Sequence, residues 1–471
     1  MKLNLAVLSF LILILIAVNS NAEIKLPAIF GSNMVLQQQT NAAIWGTAKA
    51  NKTVKVTTSW NKKSYSTKAA SDGSWKLKVK TPTAGGPYSI TISDGSAITL
   101  KNVLIGEVWI CSGQSNMQMP MRGYFNQPIL GVNKEVATSA NPSIRLFTVK
   151  REKTLKPQKD FKGEWQECTP ENVINFSAAA YYFGKMIQHN LGVPVALINS
   201  SWGGTRIEPW ISESGNKKFD FVNLPDKNSK EEFSPQTPTV LFNAMIAPMV
   251  GLAFRGGLWY QGESNRNQPA EYEKLMQGLI ENWRDEWGIG EFPFYYCQIA
   301  PFDYGQNGVN SAFLREAQLK ASVATANAGM ACLMDIGEQH GIHPANKEVT
   351  GNRLAYLALA NAYGQKGIEY SGPVLKEMTI DGSVVNLTFD HTNNGLTTFG
   401  KELKHFKVAG ENKVFHPATA FITRKGIKIF SPSVEKPVAV RYAFDDFVIG
   451  ELYNTEGLPA SSFRTDDWEK K

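Results

Sequence analysis

The hydrophobic pattern divides the chain into three stretches behind a short apolar leader. Between residues 24 and 100, short runs alternate apolar and polar side chains: VKVTTSW, KSYSTKAA, WKLKVK and YSITIS. A period of two marks strands with one buried face. The turn-forming clusters SDGS, TAGGP and a second SDGS separate them. This stretch therefore predicts a small β-sandwich without helices. From about residue 101 the strand runs become apolar throughout. They are EVWICSG (107–113), IRLFTV (144–149), PVALINSS (194–201), RGGLWYQG (255–262), FPFYYCQIA (292–300) and GMACLMDIG (329–337). Helical patterns alternate with them: SAAAYYFGKMIQHNLG, PAEYEKLMQGLIENWRDEWG, AFLREAQLKASVAT and, after the last strand, NKEVTGNRLAYLALANAYG. Uniformly apolar strands joined by helices predict a parallel sheet covered on both faces. From about 370 the chain returns to β character in VVNLTF, KVFHPATAFI, IKIFS and PVAVRYAF, and it ends in the polar, turn-rich LYNTEGLPASSFRTDDW. The fold class is α/β. The predicted division is a leader at 1–22, an N-terminal β-sandwich at 23–100, a central α/β domain at 101–368, and a C-terminal β region at 369–471 packed on or completing it.

The leader has Lys2, an apolar run from Leu5 to Val18, and small residues at Ser20 and Ala22. That is the pattern of a secretory signal peptide cleaved near Glu23. The run is short for a membrane-spanning helix, and no cysteine follows it to carry a lipid. The expectation is an exported protein, secreted or periplasmic, with no membrane span after cleavage. Export permits disulfides. Cys111, Cys297 and Cys332 nevertheless sit in apolar strand runs, where free buried cysteine is common. Neither a disulfide framework nor a zinc site is indicated, since no CxxC or Cys/His cluster occurs. The formal charge of +7 is scattered along the chain, so it reads as a solvated surface and gives no support for a nucleic-acid partner. Eleven tryptophans and fifteen tyrosines are enough to offer stacking surfaces to sugars, although most will fill the core.

Parallel sheets place their sites at the carboxyl ends of the strands. Three polar, Gly-rich motifs fall there. Gly113-Gln114-Ser115-Asn116-Met117 follows the first central strand. A Ser at a strand-to-helix turn can expose its hydroxyl beside backbone amides that stabilise an oxyanion. Taken alone, a Ser in such a turn is more often a helix cap, and the motif is not the GxSxG elbow. Ser200-Ser201-Trp202-Gly203-Gly204-Thr205 follows the third strand. Paired glycines allow close approach of a backbone amide to a substrate oxygen, or simply make a tight turn. Gln261-Gly262-Glu263-Ser264-Asn265 follows the fourth strand and offers amide side chains.

A serine hydrolase needs a base, usually His. Of the six histidines, His189 lies on a predicted helix, and His391, His405 and His416 lie in the C-terminal β region. His340 and His343 follow the last central strand, on the same rim as Ser115. His343 precedes a proline and opens a predicted helix.

The motifs GQSNM, SSWGGT, QGESN and IHPANK, in that order, resemble the sialate O-acetylesterases and related carbohydrate acetylesterases of the SGNH hydrolase superfamily. LPAIFGSNMVLQQ near the start and LYNTEGLPASSFRTDDW at the end extend the resemblance over nearly the whole mature chain. It implies an SGNH-type three-layer sandwich with a central parallel sheet. It also implies a serine esterase that removes O-acetyl groups from sugars, with sialic acids the expected substrate, through an acetyl-serine intermediate. Ser115 would be the nucleophile and His343 the general base. The oxyanion hole would be the amides of Ser115 and Gly204 (or Gly203), completed by a side-chain donor, first Gln261 and second Asn265. Such chemistry needs no metal and no organic cofactor.

One departure stands out. The superfamily often carries an acidic residue three positions before the catalytic His, and that position here is His340. Asp335 is the candidate orienter, with Glu338 also near, and a Ser–His dyad is the alternative. Arg206, just after the second motif, could meet a sialate carboxylate or be a plain surface cation. Two other functional readings remain at this level: an acetylxylan or other polysaccharide acetylesterase, and a non-catalytic carbohydrate-binding protein.

Overall fold

The computed structural model describes residues 24–228, 232–305 and 308–468; the leader expected at 1–22 lies outside them. Short alternating strands open the chain: β1 (Val35–Gln37), β2 (Asn41–Thr47), β3 (Thr53–Thr58), β4 (Ser64–Lys68), β5 (Ser74–Lys80) and β6 (Gly85–Ser93). Strands β2 and β5 form a two-stranded antiparallel sheet. Strand β6 pairs with β3 and with the long strand β7 (Ala97–Gly113). The switch from alternating to continuous burial falls inside β7. Its first residues alternate, and everything from Val103 onward is buried. One strand therefore serves both the N-terminal sheet and the central one, and it crosses residues 100 and 101 without interruption.

The central ladder runs β13-β12-β11-β7-β10-β8-β9. Its members besides β7 are β8 (Asn141–Thr148), β9 (Trp165–Cys168), β10 (Val195–Ser201), β11 (Gly256–Tyr260), β12 (Phe294–Cys297) and β13 (Ala328–Ala331). Pairing is parallel from β13 to β8, and β9 adds an antiparallel edge that the hydrophobic pattern had not marked. Taken with the N-terminal strands it joins, this is one mixed eleven-stranded sheet.

The helices that matter for the site are α1 (Ser115–Gln118), α2 (Ala178–Leu191), α3 (Pro269–Trp287), α4 (Ala312–Ala324) and α5 (Lys347–Leu357). Sequence explains their ends. Ser177 caps α2 by accepting the Ala180 N–H, and α3 begins on a proline. Both end on a left-handed glycine, Gly192 and Gly288. In α3 the buried residues Tyr272, Leu275, Met276, Leu279, Ile280 and Trp283 recur at three- and four-residue steps, one face of the helix. Alternate residues of β7 enter two separate cores. Val108 and Ile110 pack with residues of α3 and α4, whereas Trp109 and Cys111 pack with residues of α2 and α5. The sheet is thus covered on both faces, the condition for strands without a polar side.

The C-terminal strands form two four-stranded sheets and a small pair. Their core takes in Cys332 and Met334, just past β13. A buried arginine on α4 fastens this region. Arg315 donates to the Ser462 hydroxyl and to the carbonyls of Asp445 and Asp446. All four cysteines are buried and unpaired; the apolar runs had predicted this for Cys111, Cys297 and Cys332. Among the described residues no helix is long and apolar enough to cross a membrane.

The sheet leaves no room for a side chain at Gly113, where β7 ends. Its φ is +135°, and a Cβ there would lie 2.2 Å from the Tyr260 carbonyl oxygen. Gly113→Ala is expected to cost about 2–4 kcal/mol from strain and overpacking together, measured as a lowered urea unfolding midpoint.

Candidate active site

Three strands of the central ladder end level with one another. Gly113 of β7 pairs with Ser201 of β10 on one side and with Tyr260 of β11 on the other. The three motifs therefore leave the sheet side by side. Backbone and side-chain bonds then lock the turns together. Gln114 N–H donates to the Tyr260 carbonyl. The Gln114 side-chain oxygen accepts from the amides of Gly262 and Ser264. Trp202 N–H donates to the Gly113 carbonyl. The last strand, β13, delivers the loop carrying His343 to the same rim, where Asn116 Nδ2 holds the Ile342 carbonyl at 3.1 Å.

Within the tight GQSNM turn, Gln114, Asn116 and Met117 are buried while Ser115 is only half-buried. Among the described residues the Ser115 amide has no hydrogen-bond partner, as expected at the first position of a helix. Gly203 lies against the serine: a Cβ there would come within 3.2 Å of Ser115 Cβ. Its own amide donates to Gln118 Oε1 at 2.6 Å. Gly204 differs. It has a left-handed φ of +73°, nothing stands within 4 Å of where its Cβ would be, and its amide has no partner among the described residues. Of the two glycines, Gly204 is the one with an amide available to a ligand.

His343 is half-buried, with its ring edge-on to Tyr124 at 5.2 Å between centroids. Tyr124 in turn donates to the Ser115 carbonyl at 3.3 Å. Tyr124 thus contacts both the Ser115 backbone and the His343 ring. His343 Nδ1–H donates to Gln127 Oε1, which leaves Nε2 as the unprotonated nitrogen. Burial, with a smaller contribution from the positive charge of Lys347, lowers the His343 pKa to about 4. The imidazole is therefore neutral at neutral pH.

Beneath the turn lies a buried polar cluster. Asn116 Nδ2 donates to Glu263 Oε1 at 2.6 Å, and Asn116 Oδ1 accepts from the fully buried Lys347 ammonium. Burial raises the Glu263 pKa, against the pull of Asn116 and Lys347. Burial also lowers the Lys347 pKa to about 8, partly offset by Glu263. The Glu263 side chain is thus a structural partner of the nucleophile turn.

Two expectations are corrected. Gln261 does not face the site. It is fully buried, and its amide nitrogen donates to the Thr205 carbonyl and to Asn265 Oδ1, which occupies both hydrogens. Asn265, also fully buried, donates to Glu208 and accepts from the Ile207 amide. Both side chains brace the second motif against the third. Asp335 does not orient His343 either. Its two oxygens accept from Arg353 at 2.6 and 2.7 Å, a bidentate pair that ties the end of β13 to α5. Glu338 accepts the Ala345 N–H at 2.7 Å and shapes the loop, and His340 is exposed. The residue on the imidazole is Gln127, more than two hundred positions away in a turn between Tyr124 and Gln127. No spacing or motif marks it in the sequence. Arg206 is already engaged by Glu208 at 2.6 Å and by Gln268.

Comparison with known proteins places the chain in a family. A family model described as carbohydrate esterase, sialic acid-specific acetylesterase, matches residues 105–359. The chain is similar to the sialate O-acetylesterase of Homo sapiens, 31% identical over 416 residues, which cover 78% of this chain and 76% of that protein. It is also similar to the sialate O-acetylesterase of Rattus norvegicus, 29% identical, with 96% of each chain covered. Among solved structures, a carbohydrate acetylesterase from Xanthomonas citri superposes with a TM-score of 0.87 at 34% identity. It covers 95% of this chain and 100% of that one.

The corrected role of Asp335 can be measured. Asp335→Ala strands the Arg353 guanidinium, whose side chain is 8% exposed, and should cost about 3–5 kcal/mol of unfolding free energy. Gln127→Ala removes a single hydrogen bond from a half-buried pair and should cost about 1 kcal/mol. Similar losses for the two variants in parallel denaturation curves would contradict this division.

Proposed function

Because the chain belongs to the carbohydrate esterase family of sialic acid-specific acetylesterases, we propose that it is a serine esterase that removes O-acetyl groups from sialic acids, with Ser115 as nucleophile and His343 as general base. The observation that carries the assignment is the convergence at one rim of a half-exposed serine, two unpartnered backbone amides and a neutral, oriented imidazole. The layered sheet and the chain order of Ser, Gly and His elements support an SGNH-type architecture. An N-terminal β region, a central α/β part and a C-terminal β region fit this architecture, but the boundary expected at 100/101 falls inside β7 (Ala97–Gly113).

In the proposed cycle, Ser115 Oγ attacks the acetyl carbonyl carbon while His343 Nε2 takes the hydroxyl proton. The carbonyl oxygen becomes an oxyanion facing the amides of Ser115 and Gly204. As the tetrahedral intermediate collapses, the bond to the sugar oxygen breaks and His343 returns the proton to that oxygen. The sugar leaves with a free hydroxyl, and the acetyl group stays on Ser115. Water then attacks the acetyl-serine with His343 again as base. Acetate departs and the Ser115 hydroxyl is restored. Gln127 holds the Nδ1 proton throughout, which keeps Nε2 as the basic nitrogen. Unlike a carboxylate, the neutral Gln127 adds little electrostatic stabilisation to the imidazolium formed in each step. The leader-like pattern of residues 1–22 supports export, so the proposed place of action is the periplasm or the cell exterior.

The decisive assay measures acetate release from O-acetylated sialic acid and from acetylated xylan, with wild type and Ser115→Ala. Release from the sialate that falls at least about a thousandfold in the variant is expected. Release from xylan alone would keep the mechanism and replace the substrate. Release from neither, by a folded protein, would move the assignment to another ester or to a binding protein.

The pH profile provides a separate check on His343. Protonation of Nε2 removes the base, so activity is lost as pH falls through the pKa of the imidazole. The acid limb of kcat/KM is expected at an apparent pKa of about 4, rather than the roughly 6.5 of a solvated imidazole. Lys347→Met removes a nearby positive charge and should move the limb upward. The move should be modest, since burial is the larger cause. A limb near 6.5 in the wild type would refute the buried, neutral His343.

A further inference from the structure

The cations near the site differ in what they are free to do. Lys347 is buried beneath the nucleophile turn and bonded to Asn116. Arg206, directly after the second motif, is spent on Glu208 and Gln268. Arg151, three residues past the end of β8, is exposed, and among the described residues it makes no hydrogen bond and no ion pair. Its guanidinium lies over the Trp202 ring, 5.6 Å from the centroid. Trp202 itself is half-buried and pinned by its amide to the Gly113 carbonyl, one residue before the glycine that touches Ser115.

Arg151 also lies within electrostatic range of Tyr124. Its positive charge acts on the Tyr124 hydroxyl, against the larger upward push of burial on that phenol. Tyr124 donates to the Ser115 carbonyl and lies edge-on to His343. Arg151 therefore stacks on Trp202, next to the glycine beside Ser115, and its charge is felt at Tyr124, whose hydroxyl bonds the Ser115 carbonyl. An indole face fixes the plane of a guanidinium while leaving its N–H donors free at the edge. Those donors match a carboxylate in a bidentate pair. A cation held in this way, without an acidic partner, is arranged for an anion that arrives with the substrate.

We propose that Arg151, held on the face of Trp202, receives the carboxylate of an acidic sugar whose acetyl ester lies over Ser115. This rests on the assignment of the substrate as an O-acetylated sialic acid and names the residue that distinguishes it from a neutral acetylated sugar. Arg151 binds and orients the sugar, and no bond to it forms or breaks in the reaction.

The test compares acetate release from an O-acetylated sialic acid and from the same sugar with its carboxylate capped as a methyl ester, for wild type, Arg151→Gln and Arg151→Lys. The wild type should prefer the acid. Arg151→Gln should lower kcat/KM on the acid about tenfold to a hundredfold more than on the methyl ester, chiefly through KM. Arg151→Lys keeps the charge but not the fork, and should recover part of the preference. An Arg151→Gln variant that lowers both substrates equally, or neither, overturns the inference while leaving the sialate reading intact. A wild type that hydrolyses p-nitrophenyl acetate but releases acetate from neither sugar overturns the sialate reading and this inference with it.

Discussion

The site depends on three parallel strands ending at the same level. Because Gly113, Ser201 and Tyr260 are paired across the ladder, the turns that follow them start from a common edge and can bond to one another at once. The close approach at Gly113 sets the spacing. A residue with a side chain would push β7 away from the Tyr260 carbonyl, separating the turn that holds Ser115 from the one that holds Glu263. Packing on both faces makes this edge stiff. Residues of α3 and α4 meet one set of β7 side chains, and residues of α2 and α5 meet the alternate set. The strand end cannot shift without disturbing two cores.

On that edge, the chain separates polar groups that hold the site from polar groups that are left open. Gln114, Asn116, Gln261, Glu263 and Asn265 are all buried and hydrogen-bonded to neighbouring motifs. Of these five side chains, only Glu263 Oε2 is buried without a partner among the described residues, since unpaired groups in such a network are costly. The groups without partners at the rim, the Ser115 and Gly204 amides, are the ones the proposed chemistry would use. The Lys347 charge under the turn favours a neutral His343, so the same cluster that positions the serine turn also biases the protonation of the imidazole beside it.

Much of this was legible in the sequence. The shift from alternating to continuous apolar strands marked where the central sheet begins, because a strand buried on both faces has no polar side; the strands expected to form a separate β-sandwich before it instead largely join that same sheet, with β2 and β5 paired apart. Cap and stop residues such as Ser177, Pro269 and Gly288 fixed helix ends locally. Strand-end position marked the motifs that hold Ser115, the glycine pair and His343, since a parallel sheet dictates which ends carry a site; the roles proposed for them came from the family resemblance. Gln261 and Asp335 went astray for one reason. Motif membership places a residue near the rim but does not say which way its side chain turns, and that is decided by competition for partners. Gln261 is taken by Thr205 and Asn265, and Asp335 by Arg353.

What the sequence determined by itself was therefore period, order and residue type: which segments are strands, which ends are polar, and which side chains have the chemistry. The tertiary structure alone decided the pairings between distant segments. Gln127 meets His343 across 216 positions, and Arg151 meets Trp202 across the ends of neighbouring strands. Neither contact has a spacing or a motif, because nothing local depends on it. Each exists only once β8, β10 and β7 are in register and the loop after β13 is folded back over the turn of Ser115.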